Sequence, residues 1–452
     1  MSAHSRHLDF MSKGHTNGNL ANGTINAAQS FPDRPQFSDF MKPCRFEGEI
    51  QNIEVIGSIP DQIDGTFYRV MPDPQFPPFI EDDPWFNGDG NISAVKTRSG
   101  KVDFRQRFVR TEKFVREREA GRALLGKYRN KYTDAVEFTE DSPPYTLDPL
   151  TLETRGLEDF NGHLPACTFT AHPKIDPVTG EMVAMGYEAK GDGTPDVCYY
   201  TFDAKRKILE TAWMICPIIG IIHDFAVTRN WILCPVIPQT CDLERMEAGG
   251  EHWQWSPDVP FYIGVLTRRN ASGDDVKWFR APKSFPGHVA NAFEDSDGYI
   301  VLDLPICDKN AFFWWPDKDG RAPAPHEVQS SMRRFVIDPT STELDIQSKE
   351  ILLETDCEFP RIDDRYAMRE YRHLFCAIMD ASLPSDIPAI MSKRGGGSPF
   401  YNAIGHLDIR TRMLRSYFPG PTHTPQEAVF VQRSEEAEEA DGWIMFLVNN
   451  YS

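Results

Sequence analysis

The stretch that decides the fold is residues 169–177, FTAHPKIDP, which places His172 after a run typical of a strand and before a turn bounded by prolines. Two later histidines have similar surroundings: His223 lies in IIHDFAV and His288 lies in FPGHVANA. The steps between the three histidines are 51 and 65 residues. A four-stranded propeller blade takes roughly 40–50 residues, and more where loops are inserted. Histidines at equivalent places on successive blades converge on the central axis of a propeller.

Converging imidazoles indicate a metal site. Neutral imidazole nitrogens suit a borderline metal such as iron, zinc or copper, and no cysteine accompanies these three histidines. The alternative is that each histidine is an ordinary core residue whose hydrogen bonds are satisfied by its neighbours. The matched surroundings and the blade-sized steps favour the metal site.

The composition is that of a globular protein that does not bind nucleic acid. The chain has 452 residues, of which 40% are hydrophobic and 25% charged, and its net charge is −19. This charge disfavours nucleic acid and strongly anionic membrane surfaces as partners. The most apolar run, 214–222, is far too short to span a bilayer. The N-terminus has no apolar secretory segment and the nine cysteines form no CxxC pair, so we expect reduced thiols and a cytoplasmic protein.

The chain divides into a tail and one large domain. Residues 1–35 are rich in Ser, Asn, Gly and His, and we expect them to be disordered. From 36 to 452 we expect a single all-β domain, because short apolar runs alternate with turn residues almost throughout. One helix is predicted at 113–126, with Gly126 as its C-cap. Predicted strands include a run at Phe169 and longer runs at 182–185, 199–202, 231–233 and 299–302.

Three glutamates stand where a carboxylate could orient a metal-bound imidazole. A ligand imidazole usually donates its other N–H to a carboxylate or carbonyl, which fixes its tautomer. Glu140 precedes a DSPP turn, Glu358 lies in CEFPR, and Glu427 precedes the apolar run AVFV. For each of the three, a salt bridge at the surface is the alternative role.

Several short segments from about residue 45 to the last residue carry a family resemblance. They are GTFYRVMPDP at 65–74, WFNGDG at 85–90, FVRTE at 108–112, NAFE at 291–294 and EFPRID at 358–363. With these segments and its three histidine contexts, the chain resembles the carotenoid cleavage oxygenase family. It is most similar to the stilbene-cleaving branch of that family, which includes fungal lignostilbene and resveratrol dioxygenases.

The resemblance implies a fold and a chemistry. The fold is a seven-bladed β-propeller with a helical and loop dome over its top face. Such enzymes hold one Fe(II) ion on the axis with four histidines, and they use dioxygen to cleave a double bond into two aldehydes. The residues that match are His172, His223 and His288 for the first three ligands, and Glu140, Glu358 and Glu427 for the carboxylates behind the ligands.

The resemblance also implies a substrate site. In the stilbene branch, a tyrosine and a lysine grip the phenolic hydroxyl of the substrate. Tyr128, in GKYRN, matches the tyrosine, and Phe86 matches an aromatic wall. Loss of the phenolic proton would push electron density onto the alkene and favour its oxidation. The alternative for both residues is ordinary core packing.

The chain departs from the family pattern in two places. Thr139 stands where the family has its substrate lysine, and the link that follows Tyr128 is shorter than in relatives, so we expect one blade to lack a strand. The fourth histidine of relatives lies beyond the segment that matches 442–451, so we expect the C-terminal closing segment to be absent as well. His406 and His423 are the nearest candidate substitutes for that ligand. On this basis the chain as written is predicted to be an impaired dioxygenase.

Three functions remain open from the sequence. The leading hypothesis is Fe(II)-dependent cleavage of the interphenyl C=C bond of hydroxystilbenes such as resveratrol to two aromatic aldehydes, which implies a small apolar or phenolic substrate. A second hypothesis keeps this chemistry but has a carotenoid or apocarotenoid as the substrate. A third is a propeller that no longer catalyses and serves as a binding module. Tyr128 favours the stilbene, whereas Thr139 in place of the lysine weakens that preference.

Overall fold

The structure of the protein is a computed structural model that describes residues 30–34, 37–38, 41–78, 83–126, 128–130, 132, 142–394 and 400–452. Of the predicted disordered tail it describes only residues 30–34. Thr139, Glu140 and most of the link in which we expected a strand to be missing lie outside the described residues, which include only 129, 130 and 132 of that link.

Short antiparallel strands make up most of the described chain. Every pairing within a sheet is antiparallel, and most paired strands are neighbours in sequence. In chain order the strands are β1 (Gly48–Ile50), β2 (Gly65–Pro72), β3 (Gly90–Arg98), β4 (Lys101–Phe108), β5 (Tyr145–Leu147), β6 (Thr154–Leu157), β7 (Lys174–Ile175), β8 (Met182–Tyr187), β9 (Asp196–Phe202), β10 (Ile208–Ile215), β11 (Gly220–Ile221), β12 (Ala226–Val227), β13 (Trp231–Cys241), β14 (Trp253–Trp255), β15 (Phe261–Thr267), β16 (Lys277–Ala281), β17 (Phe285–Pro286), β18 (Asn291–Glu294), β19 (Ile300–Cys307), β20 (Ser330–Ile337), β21 (Ser348–Leu353), β22 (Cys357–Arg361), β23 (His373–Ile378), β24 (Ala403–Asp408), β25 (Met413–Tyr417), β26 (His423–Pro425), β27 (Val429–Gln432), β28 (Gly442–Met445) and β29 (Val448–Asn450).

Five sheets have the size of a propeller blade. The first contains β1 to β4, the second β7 to β10, the third β11 to β16, the fourth β17 to β21 and the fifth β22 to β25. Three pairs, β5–β6, β26–β29 and β27–β28, have two strands each. The expectation of seven blades is therefore wrong for the part of the chain that is described. The strands of the three pairs are only three or four residues long and hydrogen-bond to each other rather than to a larger sheet.

The central strands are buried on both faces. β9 and β19 are buried at every position, and β13 at nearly every one. Such continuous burial occurs where both faces of a sheet are covered. The adjoining sheets provide the cover: Phe261 of β15 meets Phe335 of β20 edge-on, with ring centroids 5.8 Å apart. Apolar clusters join the second sheet to the third, the third to the fourth and the fourth to the fifth. Sheets packed face to face in chain order form an all-β propeller.

Most predicted strands are confirmed. The runs at 182–185, 199–202 and 231–233 lie in β8, β9 and β13, and that at 299–302 lies in β19 except for its first residue. Phe169 is an exception, because it lies outside any strand. Phe169 is a core residue instead. The centroid of its ring lies 5.7 Å from that of Phe160 and 5.8 Å from that of Tyr200, and both pairs are stacked.

The described helices are few and short, and none of them has the length and apolar character of a membrane span. α1 (Glu112–Ala120) begins after Thr111, whose hydroxyl caps it, and ends at Gly121, which has a left-handed φ of 66°. The helix predicted at 113–126 is thus correct in place but too long, because Gly121 rather than Gly126 provides the C-cap. The remaining helices are α2 (Leu243–Glu247) and α3 (Ile387–Arg394), with 3-10 helices at Trp85–Asn87, Gly273–Asp275, Pro325–Glu327 and Asp364–Tyr366.

A buried charge lies inside the fourth sheet. Asp303 of β19 is fully buried and accepts hydrogen bonds from Arg334 Nε at 2.8 Å, from Arg334 Nη2 at 2.7 Å and from the Tyr371 hydroxyl at 2.8 Å. Its backbone carbonyl accepts the Ala290 N–H at 2.9 Å, two residues after His288. A bidentate partner is what makes a buried carboxylate tolerable.

Asp303→Ala should lower the free energy of unfolding by about 3–5 kcal/mol, because it leaves the Arg334 guanidinium without its buried partner. Asp345 offers a matched control, since it pairs with Arg280 at 2.8 Å but is 66% exposed. Asp345→Ala should cost at most about 1 kcal/mol. Urea unfolding of both variants measures the two losses, and equal losses would contradict the importance of burial for the Asp303 interaction.

Candidate active site

The three predicted histidines lie at equivalent edges of three successive sheets. His172 precedes β7, the edge strand of the second sheet. His223 lies between β11 and β12, which both pair with β13, and His288 lies between β17 and β18, which both pair with β19. In the third and fourth sheets the edge strand is therefore interrupted at the histidine, which frees the imidazole to point away from the ladder.

The structure brings the three imidazoles together. His223 Nε2 lies 3.2 Å from His172 Nε2 and 3.1 Å from His288 Nε2, and the rings meet edge-on. Within the described part of the chain, these histidines form one group whose ligand atoms all lie within 4.8 Å of one another. We call this group the histidine cluster. Its role as a metal site stays a prediction.

Glu358 stands directly behind His288. Its Oε2 accepts the Nδ1–H of His288 at 3.1 Å, and its Oε1 accepts the His288 backbone N–H at 3.1 Å. With the proton on Nδ1, the Nε2 atom directs a lone pair at the other two histidines. Gly287 permits this arrangement, because a Cβ at that position would collide with Oε1 of Glu358. The ring of Phe359 packs 5.2 Å from that of His288.

Asp224, which the sequence analysis did not single out, links all three histidine segments. Its Oδ2 accepts the Val289 N–H at 2.8 Å, while its Oδ1 accepts the Phe225 N–H at 2.8 Å and pairs with Lys174 Nζ at 2.6 Å. Burial raises the pKa of Asp224, but Lys174 and the nearby imidazoles outweigh burial and hold the pKa well below its usual range. An acidic residue inside the apolar run IIHDFAV is the sequence signal that could have identified it.

The histidine cluster fits a divalent metal ion. Burial, together with His223 and His288, lowers the pKa of His172 to about 2 against the opposing effect of Asp224, so this imidazole stays neutral. Nitrogen ligands about 2.1 Å from one ion and at right angles to each other lie about 3 Å apart. The two Nε2 distances of 3.1 and 3.2 Å match that spacing. Three imidazoles with adjoining carboxylates form a donor set that suits iron.

Comparisons with known proteins now assign the family. The family model described as retinal pigment epithelial membrane protein matches residues 41–452. The chain is 57% identical over 442 residues to Resveratrol cleavage oxygenase 1 of Aspergillus fumigatus, which covers 93% of this chain and 89% of that protein. It is 52% identical over 450 residues to Carotenoid cleavage oxygenase 1 of Neurospora crassa, which covers 94% and 86%. The chain belongs to the carotenoid oxygenase family. The predicted resemblance, including its stilbene-cleaving branch, is thereby confirmed.

Solved structures of the carotenoid oxygenase family share the fold. The lignostilbene dioxygenase of Pseudomonas brassicacearum superimposes with a TM-score of 0.89 at 39% identity, over 94% of this chain and 92% of that chain. A cobalt-substituted apocarotenoid oxygenase of Synechocystis superimposes with a TM-score of 0.74 at 24% identity, over 90% and 89% of the two chains. The family consists of oxygenases, and this protein is an enzyme of that class.

Glu427, the third predicted carboxylate, lies between two arginines. Its Oε2 is 2.9 Å from Arg69 Nη1, and its Oε1 pairs with Arg361. Burial raises its pKa, but Arg361, Arg69 and then His288 together bring the pKa below its usual value. Glu427 is therefore an ionised group close to His288, held by cations. Its predicted role behind a ligand histidine stays a prediction.

Neither candidate substitute for a fourth ligand joins the histidine cluster. His406 of β24 lies across the strand pair from His373 of β23, with Nε2 and Nδ1 3.0 Å apart. His423 begins β26. Neither of them belongs to either of the two groups of possible metal ligands found among the described residues.

The two predicted substrate residues meet at a pair of tryptophans. The Phe86 ring lies 5.3 Å from Trp314 and 6.4 Å from Trp315, between ring centroids, and the Tyr128 ring lies 5.5 Å from Trp315. Tyr128 is buried, with 7% of its surface exposed. The structure thus places Phe86 and Tyr128 in one aromatic surface, although they are more than forty positions apart in the sequence.

This aromatic surface extends to β17, the strand that precedes His288. Phe312 lies 5.8 Å from Trp315 and 4.8 Å from Phe285, between ring centroids, and Phe285 precedes His288 by three residues. The sequence analysis missed the segment FFWW at 312–315, although four consecutive aromatic residues were a usable signal. We call the whole surface the aromatic wall, formed by Phe86, Tyr128, Phe285, Phe312, Trp314 and Trp315.

A buried carboxyl group holds the backbone of Tyr128. Asp83 Oδ1 accepts the Tyr128 N–H at 3.0 Å, and the Asn87 amide contacts the other oxygen. Burial raises the pKa of Asp83 to about 7, against the lowering effect of these hydrogen bonds and of Lys113. An acid that titrates near neutral pH thus touches the segment that carries the predicted substrate tyrosine.

Gly287→Ala should destabilise the protein by about 1–3 kcal/mol, because the added methyl group meets the Glu358 carboxylate in a packed site. Gly65→Ala is the matched control, since a Cβ there has no atom within 4 Å. Neither glycine has a left-handed φ, so the comparison isolates the collision. Thermal unfolding of both variants measures the effect, and equal melting temperatures would show that Glu358 can move aside freely.

Asp83→Asn should change how stability depends on pH. The pKa of Asp83 in the folded protein is higher than that of an unfolded aspartate. Between these two pKa values, the folded protein therefore binds a proton that the unfolded chain does not bind. The stability contributed by the neutral acid is present below about pH 4 and is lost as the pH rises through about 7. The unfolding free energy of the variant relative to the native protein should therefore increase by up to about 1.4 kcal/mol per pH unit in that window. Urea unfolding across this range measures the difference, and parallel curves would contradict the assignment.

Proposed function

We propose that this protein cleaves the interphenyl double bond of hydroxystilbenes such as resveratrol into two aromatic aldehydes, with Fe(II) held by His172, His223, His288 and a further ligand. The observation that supports this most is the aromatic wall, which runs from Tyr128 to Phe285, three residues before His288. A flat, apolar substrate with a phenol at one end suits such a surface. The 57% identity to a protein named Resveratrol cleavage oxygenase 1 supports the same substrate class.

The proposed reaction balances without a further reductant. The C=C bond of the alkene and the O=O bond of dioxygen break, and two C=O bonds form, so that each aldehyde receives one oxygen atom. Bound Fe(II) would supply the activation of dioxygen. Glu358 keeps the His288 proton on Nδ1, which leaves Nε2 free to bind the ion. Asp224 fixes the backbone around the ligand segments and offsets positive charge.

The aromatic wall and Tyr128 would bind and polarise the substrate. The Tyr128 hydroxyl would accept a hydrogen bond from the substrate phenol, which increases electron density on the conjugated alkene. The rings of the wall exclude water from the double bond and align the stilbene by stacking. A cavity of about 530 Å³ lies beside His172. It suits an apolar substrate less well than the aromatic wall does, because the charged residues Lys174, Arg361 and Asp364 line it.

A second candidate function keeps this chemistry and changes the substrate to a carotenoid or apocarotenoid. The 52% identity to a protein named Carotenoid cleavage oxygenase 1 supports it. The two candidates differ at the phenol, because a carotenoid hydrocarbon end has no hydroxyl that could donate a hydrogen bond to Tyr128. Incubation of the iron-loaded protein with resveratrol and with an apocarotenal, followed by mass spectrometry of the aldehydes, separates them. Products from the apocarotenal alone would overturn the stilbene proposal.

His223→Ala should sharply reduce the iron content of the protein, because His223 Nε2 lies between the other two ligand nitrogens. His163→Ala is the matched control, since His163 is exposed and lies outside the histidine cluster. Metal analysis after anaerobic loading and desalting gives iron per chain for both variants, with circular dichroism to check folding. Equal iron in the folded His223→Ala variant and the control would refute the assignment of the histidine cluster as the metal site.

A further inference from the structure

We propose that a buried network of Arg129, Glu188 and His252 is the positioning device for Tyr128, and that it thereby determines the preference for substrates with a free phenolic hydroxyl. The inference rests on the proposed function, in which the Tyr128 hydroxyl accepts a hydrogen bond from that hydroxyl. These three residues lie outside the histidine cluster and the aromatic wall. Their side chains are almost fully buried, with at most 2% exposed.

Arg129, which follows Tyr128 in the chain, anchors the segment through its side chain. Its guanidinium Nη2 lies 2.5 Å from Glu188 Oε2, and its guanidinium carbon lies 5.2 Å from the centroid of the Trp253 ring. The backbone of Arg129 has a left-handed φ of 53°. A non-glycine residue holds this conformation only where its surroundings fix it.

His252 ties the backbone of Arg129 to the same carboxylate. Its Nδ1 is 2.7 Å from the Arg129 carbonyl oxygen, and its Nε2 is 3.0 Å from both oxygens of Glu188. Burial raises the pKa of Glu188, but Arg129 and His252 outweigh burial and lower it to about 2, so the carboxylate is ionised. A carbonyl and a carboxylate only accept hydrogen bonds, so His252 donates from both of its nitrogens.

The neighbours on either side of Arg129 are fixed as well. Asn130 Nδ2 donates to the carbonyl oxygens of Met246 at 3.1 Å and Gly250 at 2.7 Å. The Tyr128 N–H donates to Asp83, as described above. Three consecutive residues are thus held by partners from three distant parts of the chain. The network is therefore a clamp on the Tyr128 segment rather than a single contact.

The same residues are poorly arranged for a metal ion. Glu188, Cys241 and His252 have ligand atoms within 4.8 Å of one another. However, both nitrogens of His252 donate protons, and the Arg129 guanidinium covers Glu188 Oε2. Burial, followed by the charge of Glu188, also raises the pKa of the Cys241 thiol well above its usual value, which disfavours the thiolate that a metal requires.

A buried ion pair is costly to form and is often replaceable by apolar residues without loss of stability. An apolar replacement cannot fix the orientation of the Tyr128 segment in the same way, because hydrogen bonds set the angle as well as the distance between their partners. A hydrogen bond between Tyr128 and a phenol also depends on sub-ångström placement of the hydroxyl. Loosening the clamp should therefore reduce recognition of the phenol before it affects binding of the apolar part of the substrate.

The test compares two ligands that differ at one position, 4-hydroxystilbene and 4-methoxystilbene. Tryptophan fluorescence gives the ratio of their dissociation constants, and kcat/KM gives the same ratio for turnover. Tyr128→Phe should lower the preference for the hydroxyl compound about tenfold, since it removes the acceptor. Glu188→Gln and Asn130→Ala should lower it in the same direction, with binding of the methoxy compound little changed.

Two controls separate positioning from general loss of stability. Tyr371→Phe removes a buried hydrogen bond to Asp303 away from the clamp, so it should leave the ratio unchanged at a comparable loss of melting temperature. In the double variant Tyr128→Phe with Glu188→Gln, the ratio should equal that of Tyr128→Phe alone. This is because a clamp that acts through the Tyr128 hydroxyl has nothing left to position.

The outcomes distinguish this inference from the proposed function. If Tyr128→Phe lowers the ratio while Glu188→Gln and Asn130→Ala keep the native value, or if the effects in the double variant simply multiply, the clamp is overturned and the proposed function stands. If Tyr128→Phe leaves the ratio unchanged, the phenol-binding role of Tyr128 fails, and the clamp fails with it. Asn130→Ala carries no buried charge, so it keeps the test decisive should Glu188→Gln not fold.

Discussion

The arrangement of the site depends on one buried carboxylate, that of Asp224. It receives Lys174 Nζ, two residues after His172, and the backbone N–H groups of Phe225 and Val289, which follow His223 and His288. One side chain therefore connects the inner edges of three successive sheets. A buried carboxylate without partners costs several kcal/mol, so sheets that moved apart at this edge would each leave Asp224 less satisfied. The same interaction that joins the sheets also brings the imidazoles into contact.

Charged side chains lie close to the histidine cluster. Glu358 accepts two hydrogen bonds from His288, and Lys174 and the nearby imidazoles hold the pKa of Asp224 well below its usual range. Lys174 pairs with Asp224, and Arg361 pairs with Glu427. The aromatic wall ends at Phe285 of β17, three residues before His288.

The sequence was sufficient to predict the parts of the site that carry a local pattern. The three histidine contexts, Glu358 in its EFPR element and the all-β class each follow from residues adjacent in the chain. The number of blades did not follow, because it depends on whether short strands such as β27 and β28 pair with a larger sheet. The clamp did not follow either, since Arg129, Glu188 and His252 are far apart in sequence and meet only through the fold. The helix end at Gly121 was missed because two glycines competed for the cap, and the local φ decided between them.

The interrupted edge strands and the carboxylates behind the histidines depend on each other. A break in a strand releases backbone N–H groups from the ladder, and buried N–H groups need another acceptor. In the fourth sheet the break falls at His288 and Val289, and their N–H groups go to Glu358 and Asp224. The carboxylates that accept these donors include Glu358, which also orients the His288 imidazole, and in the proposed function they would offset the charge of the metal ion. In a strand that ran unbroken through His288, the backbone N–H groups would donate to the neighbouring strand. They would not need the carboxylates as acceptors, and the imidazole would stay within the sheet.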